Sequence, residues 1–225
     1  MTQEQWTLVD RYIDGLFVPS DPSLEAALEA STAAGLPSIA VSPAQGKLLY
    51  VLAKAVGARR ILELATLGGY STIWMARALP PDGRLITLEL EEKHAAVARG
   101  NFVRAGVSSA IDLRVGPALS LLPALVAGDP FDVIFIDADK GGYADYLSWA
   151  IRLSRAGTLI VADNVVRDGK IVDAASTDVN VQGIRRFNEA LANERRVAAT
   201  VIQTVGAKGY DGFAVIVVTE NARLG

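Results

Sequence analysis

Between Arg60 and Asp163 the chain alternates five strand-length apolar runs with helical segments. The runs are Arg60 to Leu64, Arg84 to Glu89, Ala110 to Val115, Phe131 to Asp137 and Gly157 to Asp163. Helical spacing fills the intervals over Tyr70 to Leu79, Glu91 to Ala105, Ala118 to Val126 and Tyr143 to Leu153. Strands joined through helices make right-handed crossovers, so the pattern predicts a parallel sheet covered on both faces. The end of the chain breaks the rule. After a helix over Gly183 to Ala192, the runs Val197 to Thr204 and Gly212 to Val218 are joined only by VGAKGYDG. With no helix between them they predict a hairpin, and one strand runs antiparallel.

The N-terminal part reads as helices. Trp6, Val9, Ile13, Leu16 and Phe17 recur at helical spacing. Asp21-Pro22 and Ser42-Pro43 each pair a capping side chain with proline at the first helical position. Gly35 with Pro37 ends the second helix, and Gly57 ends the third. No repeat or linker interrupts the 225 residues. The expected organisation is one domain over 1–225, with 1–56 a helical lid or dimer segment and 57–225 the core. The polar stretch Asp168 to Asn180 reads as a mobile loop.

With 51% hydrophobic residues, the chain can bury a large core. A net charge of −3 argues against a polyanion partner such as nucleic acid. The absence of cysteine excludes disulfides, thiolate metal sites and a cysteine nucleophile, and it suits a reducing cytosol. No apolar run approaches the ~18 residues of a membrane span. The start is acidic and lacks signal-peptide features. The expected setting is soluble and cytoplasmic, with no membrane partner.

Candidate chemistry sits where strands end. FDVIFIDADK stops at Asp137, and VADN stops at Asp163 and Asn164. Two strand ends of one sheet can place these three oxygen donors around one hard cation. With one histidine and no cysteine, softer metals have little to bind. Mg²⁺ fits best, and Mn²⁺ or Ca²⁺ are alternatives. Either aspartate alone also reads as a loop cap binding the following N–H groups. Their coincidence with Asn164 and Lys140 favours a cation site.

Ligands of open α/β sheets sit beyond the carboxyl ends of the strands. Three segments arrive there. Glu63 to Ser71 brings Ala65, Thr66, Gly69 and Ser71 in a glycine turn. Glu89 can accept the two hydroxyls of a ribose. Gly116-Pro117-Ala118 can flank an adenine ring. The turn reads A-T-L-G-G-Y rather than G-x-G-x-x-G. That suits a nucleoside without phosphates better than a dinucleotide. Two acidic residues, Glu63 and Glu89, suit a cationic centre such as a sulfonium.

ILELATLGGYSTIWMARALPPDGRLITLE, GPAL, FDVIFIDADK, LIVADNVV and IRRFNEAL together resemble the metal-dependent O-methyltransferases of the caffeoyl-CoA and catechol type. The resemblance runs from about Ser42 to the C-terminus. It implies a Rossmann-like seven-stranded α/β fold and S-adenosylmethionine as methyl donor. It implies Glu63, Ser71, Glu89, Ala118 and Asp137 as cofactor-lining residues, with Val41 covering the cofactor. It places the general base at Lys140, where a neighbouring dication disfavours the charged lysine. It implies a small phenolic acceptor with vicinal hydroxyls and a homodimer. The chain departs from the family at Ala65, where glycine is usual.

Other residues read as structural. His94 reads as a solvent-facing helix residue. Trp74, Met75 and Trp149 read as core. Arg185, Arg186, Arg195 and Arg196 read as solvated surface. Tyr143 can border the acceptor or belong to the core. The competing functions are an NAD-dependent oxidoreductase, a non-catalytic nucleoside-binding protein, and a methyltransferase for RNA or protein.

Overall fold

A computed structural model describes residues 2–220. The strands are β1 (Arg60–Leu64), β2 (Arg84–Glu89), β3 (Ile111–Val115), β4 (Phe131–Ile136), β5 (Ser154–Asp163), β6 (Val197–Gly206) and β7 (Gly209–Val218). The helices are α1 (Gln3–Phe17), α2 (Pro22–Ala33), α3 (Pro43–Ala55), α4 (Tyr70–Ala76), α5 (Glu92–Arg104), α6 (Ala118–Leu121), α7 (Tyr143–Arg152) and α8 (Val179–Asn193). All seven strands form one sheet in the order β3-β2-β1-β4-β5-β7-β6. The first five are parallel, and β7 runs antiparallel to both β5 and β6. The winding direction switches between β1 and β4, so the ends of these strands open the crevice where ligands collect.

Alternation along the central strands builds two cores. Leu62, Leu64, Ile134, Ile136 and Ile160 pack with Leu147 of α7 and Phe187 of α8. Ile61, Val133, Phe135 and Val161 pack on the other face with Leu49, Ile73, Met75 and Phe102 of α3, α4 and α5. Burial of each such side chain contributes roughly 1.5–3 kcal/mol. Trp74 and Met75 lie in this second core, and Trp149 packs against the first. Glu63 shares the face of Ile61, which carries it under α4.

The capped starts form as the sequence predicts. Asp21 accepts the N–H groups of Ser23 and Leu24 at 3.0 and 3.2 Å, and Ser42 accepts that of Gln45 at 3.2 Å. Several boundaries differ, among them the helix from Tyr70, which ends at Ala76 and not Leu79, and α8, which begins at Val179 and not Gly183. The segment from Ala118 leaves the α-helix after Leu121 for a 3-10 turn over Leu122–Leu125. Pro123 lacks the N–H that a longer helix needs. The hairpin strands consume most of VGAKGYDG and leave Ala207-Lys208 as the turn. β5 begins at Ser154, ahead of Gly157, with a register irregularity against β4. The stretch Asp168 to Asn180, read as a mobile loop, contains a 3-10 turn over Lys170–Val172 and the start of α8. Asp178 caps that helix through the N–H of Asn180 at 2.8 Å.

One close approach bears on the site. A Cβ at Gly183 of α8 would stand 2.1 Å from the carbonyl oxygen of Lys140. Only glycine lets α8 press against the backbone that carries Lys140. Among the described residues, no helix is long and apolar enough to cross a membrane.

Candidate active site

The turn after β1 is fastened by a carboxylate from β2. Glu89 Oε2 accepts the N–H groups of Thr66 and Leu67 at 3.0 and 2.7 Å. Its Oε1 accepts the N–H of Glu91 at 3.0 Å and lies 3.3 Å from His94 Nδ1. The turn is tight enough to need left-handed backbone, with φ of 73° at Ala65 and 50° at Leu67. Glycine adopts such angles freely, whereas a Cβ costs roughly 1–2 kcal/mol. The departure from the resembled family at Ala65 therefore falls at a strained position. Gly69 begins α4 at φ 81°, and a Cβ there would stand 2.3 Å from the Phe102 ring.

Glu63 lies behind this turn and is fully buried. The hydroxyls of Ser71, Thr72 and Thr87 donate to it. Burial pushes its pKa up to about 7, against those hydrogen bonds. Its side chain is spent on holding α4 to β1 and β2.

The ends of β4 and β5 are braced by a tyrosine. The Tyr143 hydroxyl lies 2.8 Å from the Asp163 carbonyl oxygen and 3.2 Å from that of Ile136. It accepts from Lys140 Nζ at 2.6 Å, and the same ammonium donates to Asp137 Oδ1 at 2.9 Å. Burial raises the Tyr143 pKa well above the ordinary phenol value, so the hydroxyl keeps its proton. Tyr143 is fully buried and lines neither of the cavities described below. It positions Lys140 and does not border an acceptor.

Asp163 is buried, and its pKa is raised by desolvation and then by the charge of Asp137. The N–H of Asn164 donates to Asp163 at 2.8 Å. Asn164 itself is held at φ 57°, a turn that asparagine tolerates. The two carboxylates thus lie close enough to repel one another, and Asn164 lines both cavities beside them. This oxygen-only set fits a hard divalent cation, whose charge would relieve the repulsion. Among the described residues, no group of three or more His, Cys, Asp or Glu side chains forms a metal cluster. The set here has only two carboxylates, and Asn164 is the third candidate donor.

Two cavities meet at this point. The first, about 460 Å³, is lined by Val41, Ala65, Thr66, Ser71, Glu89, Asp137 and Lys140, among others. The second, about 560 Å³, takes its wall from Asp10, the segment 38–48, Asp163 and the hairpin turn. Ile39, Ala40, Val41, Asn164 and Arg167 line both. Glu63, Gly69 and Ala118 do not line the first cavity, although the resemblance or the pocket reading placed them there. Glu63 is buried behind Ser71, Gly69 serves the turn, and Ala118 begins α6.

Several lining residues escaped the sequence reading. His94 was read as solvent-facing, yet it is turned inward beside Glu89 and lines the first cavity. Its place in the first turns of α5, just after the β2 carboxylate, was the available signal. Tyr70 and Ile39 line the first cavity, as does Arg167. Arg185 is not simply solvated surface, since it donates to the Ile171 carbonyl oxygen.

Comparison with known proteins agrees with this architecture. A catechol O-methyltransferase of Niastella koreensis is 55% identical over 97% of this chain and 100% of its own length. A catechol O-methyltransferase of Mycobacterium tuberculosis is 54% identical over 93% and 94%, respectively. The O-methyltransferase of Bacillus cereus, solved in complex with SAH, superposes with a TM-score of 0.95 at 52% identity, covering 97% of this chain and 100% of that one. These likenesses leave the oxidoreductase reading without support. The O-methyltransferase family profile matches residues 19–213, and the chain belongs to that family.

Proposed function

We propose that the chain transfers the methyl group of S-adenosylmethionine to one hydroxyl of a small catechol-like acceptor, with a divalent cation, Mg²⁺ first, orienting the acceptor. The observation that carries this reading is a pair of cavities that share Asn164, with Asp137 and Lys140 on the wall of the first and Asp163 on the wall of the second. The first cavity has the size and acidic lining for the donor, and the second is open to the acceptor. Relatives named catechol O-methyltransferase and a structure holding SAH support the same assignment.

Asp137, Asp163 and Asn164 would hold the cation. When bound, such an ion supplies a positive charge that lowers the pKa of a coordinated hydroxyl and fixes a vicinal diol in one orientation. Lys140 takes the hydroxyl proton, after giving up its own proton to solvent. Tyr143 and Asp137 hold the Lys140 amine in place for that transfer. The acceptor oxygen then forms its bond to the methyl carbon as the carbon–sulfur bond breaks, leaving SAH. Glu89 fixes the turn against which the nucleoside lies, and Val41 closes the cavity above it. Most of the acceleration comes from alignment of two reactants at near-attack distance.

The helix α1 buries none of its residues, and Leu8, Val9, Tyr12, Leu16 and Phe17 are exposed along it. That apolar face supports a homodimer. The function is tested by methyl transfer to catechol with the protein in EDTA and after Mg²⁺ is added back. Activity is expected only with the metal. Full turnover in EDTA removes the cation from the reading, and binding of NAD in place of S-adenosylmethionine removes the reaction.

A further inference from the structure

The wall of the second cavity carries charges that the proposed chemistry does not use. Four acidic residues line it: Asp10, Asp163, Asp168 and Asp211. Asp10 accepts the N–H of Ala207 at 2.6 Å. Asp211 Oδ1 accepts the N–H groups of Val166, Arg167 and Gly212 at 3.0, 2.9 and 2.9 Å. Asp168 lies 3.5 Å from Lys170. Asp163 belongs to the candidate cation set. The acidic side of the cavity is therefore engaged.

Its basic side is held more loosely. Lys208 sits in the turn between β6 and β7 and lines the cavity. Its Nζ donates to the carbonyl oxygen of Ala40, a neutral partner. Among the described residues no carboxylate stands within ion-pair distance of it. Arg167, the other cation of this wall, reaches Asp211 only at 3.9 Å. Its Nε is buried with no partner among the described residues.

Partial burial lowers the Lys208 pKa, and the charges of Asp137 and Asp163 oppose that shift. Those two charges would be cancelled by a divalent cation held between them. Lys208 is then left on the acceptor side of the cavity as a cation whose hydrogen-bond partner is neutral.

We infer that Lys208 is a specificity-determining residue that receives a carboxylate borne by the acceptor, with Arg167 as second donor. The acceptor class is then a vicinal dihydroxy aromatic acid, as opposed to a neutral catechol or a catechol amine. The side chain would exchange the Ala40 carbonyl for the carboxylate. This inference rests on the proposed function, whose acceptor it narrows.

The test is the ratio of kcat/KM for 3,4-dihydroxybenzoate to that for unsubstituted catechol, with dopamine as the cationic arm, at fixed Mg²⁺. The wild-type protein is expected to favour the acid by about tenfold, the scale of one charge-assisted hydrogen bond. Lys208→Met is expected to collapse that preference, Lys208→Glu to shift it toward dopamine, and Lys208→Arg to retain it. Circular dichroism of each variant checks folding, and the ratio within one variant does not depend on the active fraction. A ratio that Lys208→Met and Lys208→Glu leave unmoved overturns the inference while leaving the methyltransferase reading intact. A wild-type preference for dopamine overturns it equally. Absence of methyl transfer to all three acceptors overturns both readings together.

Discussion

The two cavities are built in opposite ways. The wall of the first comes largely from short segments that follow β1, β2 and β4, each within a few residues of its strand. Its backbone is pinned by ties between the neighbouring units of β1 and β2: the Glu89 carboxylate on the Thr66 and Leu67 N–H groups, and the hydroxyl cradle around Glu63. The second wall is assembled from α1, the segment before α3, the end of β5 and the β6–β7 turn. Its ties span most of the chain, as when Asp10 accepts from Ala207 and Gln3 donates to the Gly206 carbonyl oxygen at 2.8 Å. A wall fixed between two adjacent strands suits a cofactor that does not change. A wall made of distant pieces can change its acceptor by altering one turn, with the sheet untouched.

The sharpest way to break this comparison is to strike where the walls meet. Lys140→Met is expected to lower kcat by at least about a hundredfold while SAH still binds the first cavity. Single-turnover rates alongside calorimetric SAH titration measure the two effects separately. Undiminished turnover would remove Lys140 from the reaction.

A gentler blow reaches the same point from behind. Gly183→Ala inserts a Cβ against the Lys140 carbonyl oxygen, 2.1 Å away unless the backbone moves. Overpacking of this kind costs about 1–3 kcal/mol. Turnover is expected to fall about tenfold or more through displaced Lys140, with SAH affinity little changed. If stability falls and kcat per folded molecule does not, the contact is structural only.

Glu63 probes the first wall through pH. Its folded pKa of about 7 lies above the ordinary carboxylate value of 4.5. The folded state therefore holds the proton more tightly between those values. Its contribution to stability is greatest at low pH and is lost as pH rises toward 7. Denaturant unfolding at pH 5 and pH 8 should show a decline on the order of 2 kcal/mol from this group. Glu63→Gln should flatten that decline, and parallel curves for the two proteins would contradict the assigned pKa.

The smallest effect is expected at Ala65. Relief of the left-handed alanine is partly offset by the greater freedom of glycine in the unfolded chain. Ala65→Gly should stabilise the protein by about 0.5 kcal/mol without weakening SAH binding. Destabilisation would mean that the turn tolerates its Cβ without strain.

Much of this was legible in the sequence because it is local. Strand ends at Asp137 and Asp163 follow from where apolar runs stop, and the caps at Asp21 and Ser42 follow from residue types one position ahead of a proline. The antiparallel hairpin follows from a connection too short for a helix. What sequence reading misplaced required knowing direction or neighbours. Glu63 looked like a ligand residue because it is acidic, stands beside the glycine turn and falls in a resembled cofactor segment. The parity of β1 aims it under α4 instead, where three hydroxyls meet it. His94 looked solvated because its helix is polar, yet the rotation of α5 turns it toward Glu89. Tyr143 could be read either as a border to the acceptor or as core, and burial puts it in the core, where its hydroxyl ties the ends of β4 and β5.

The sequence by itself determined the order of elements, the sheet and the donor set at its carboxyl edge, because periodicity and strand termini are properties of consecutive residues. Tertiary structure alone decided that Asp10, Ala40, Asn164, Arg167 and Lys208 share one cavity. Contacts between residues so far apart along the chain carry no local pattern. They exist only once burial of the two cores has fixed where each strand ends in space.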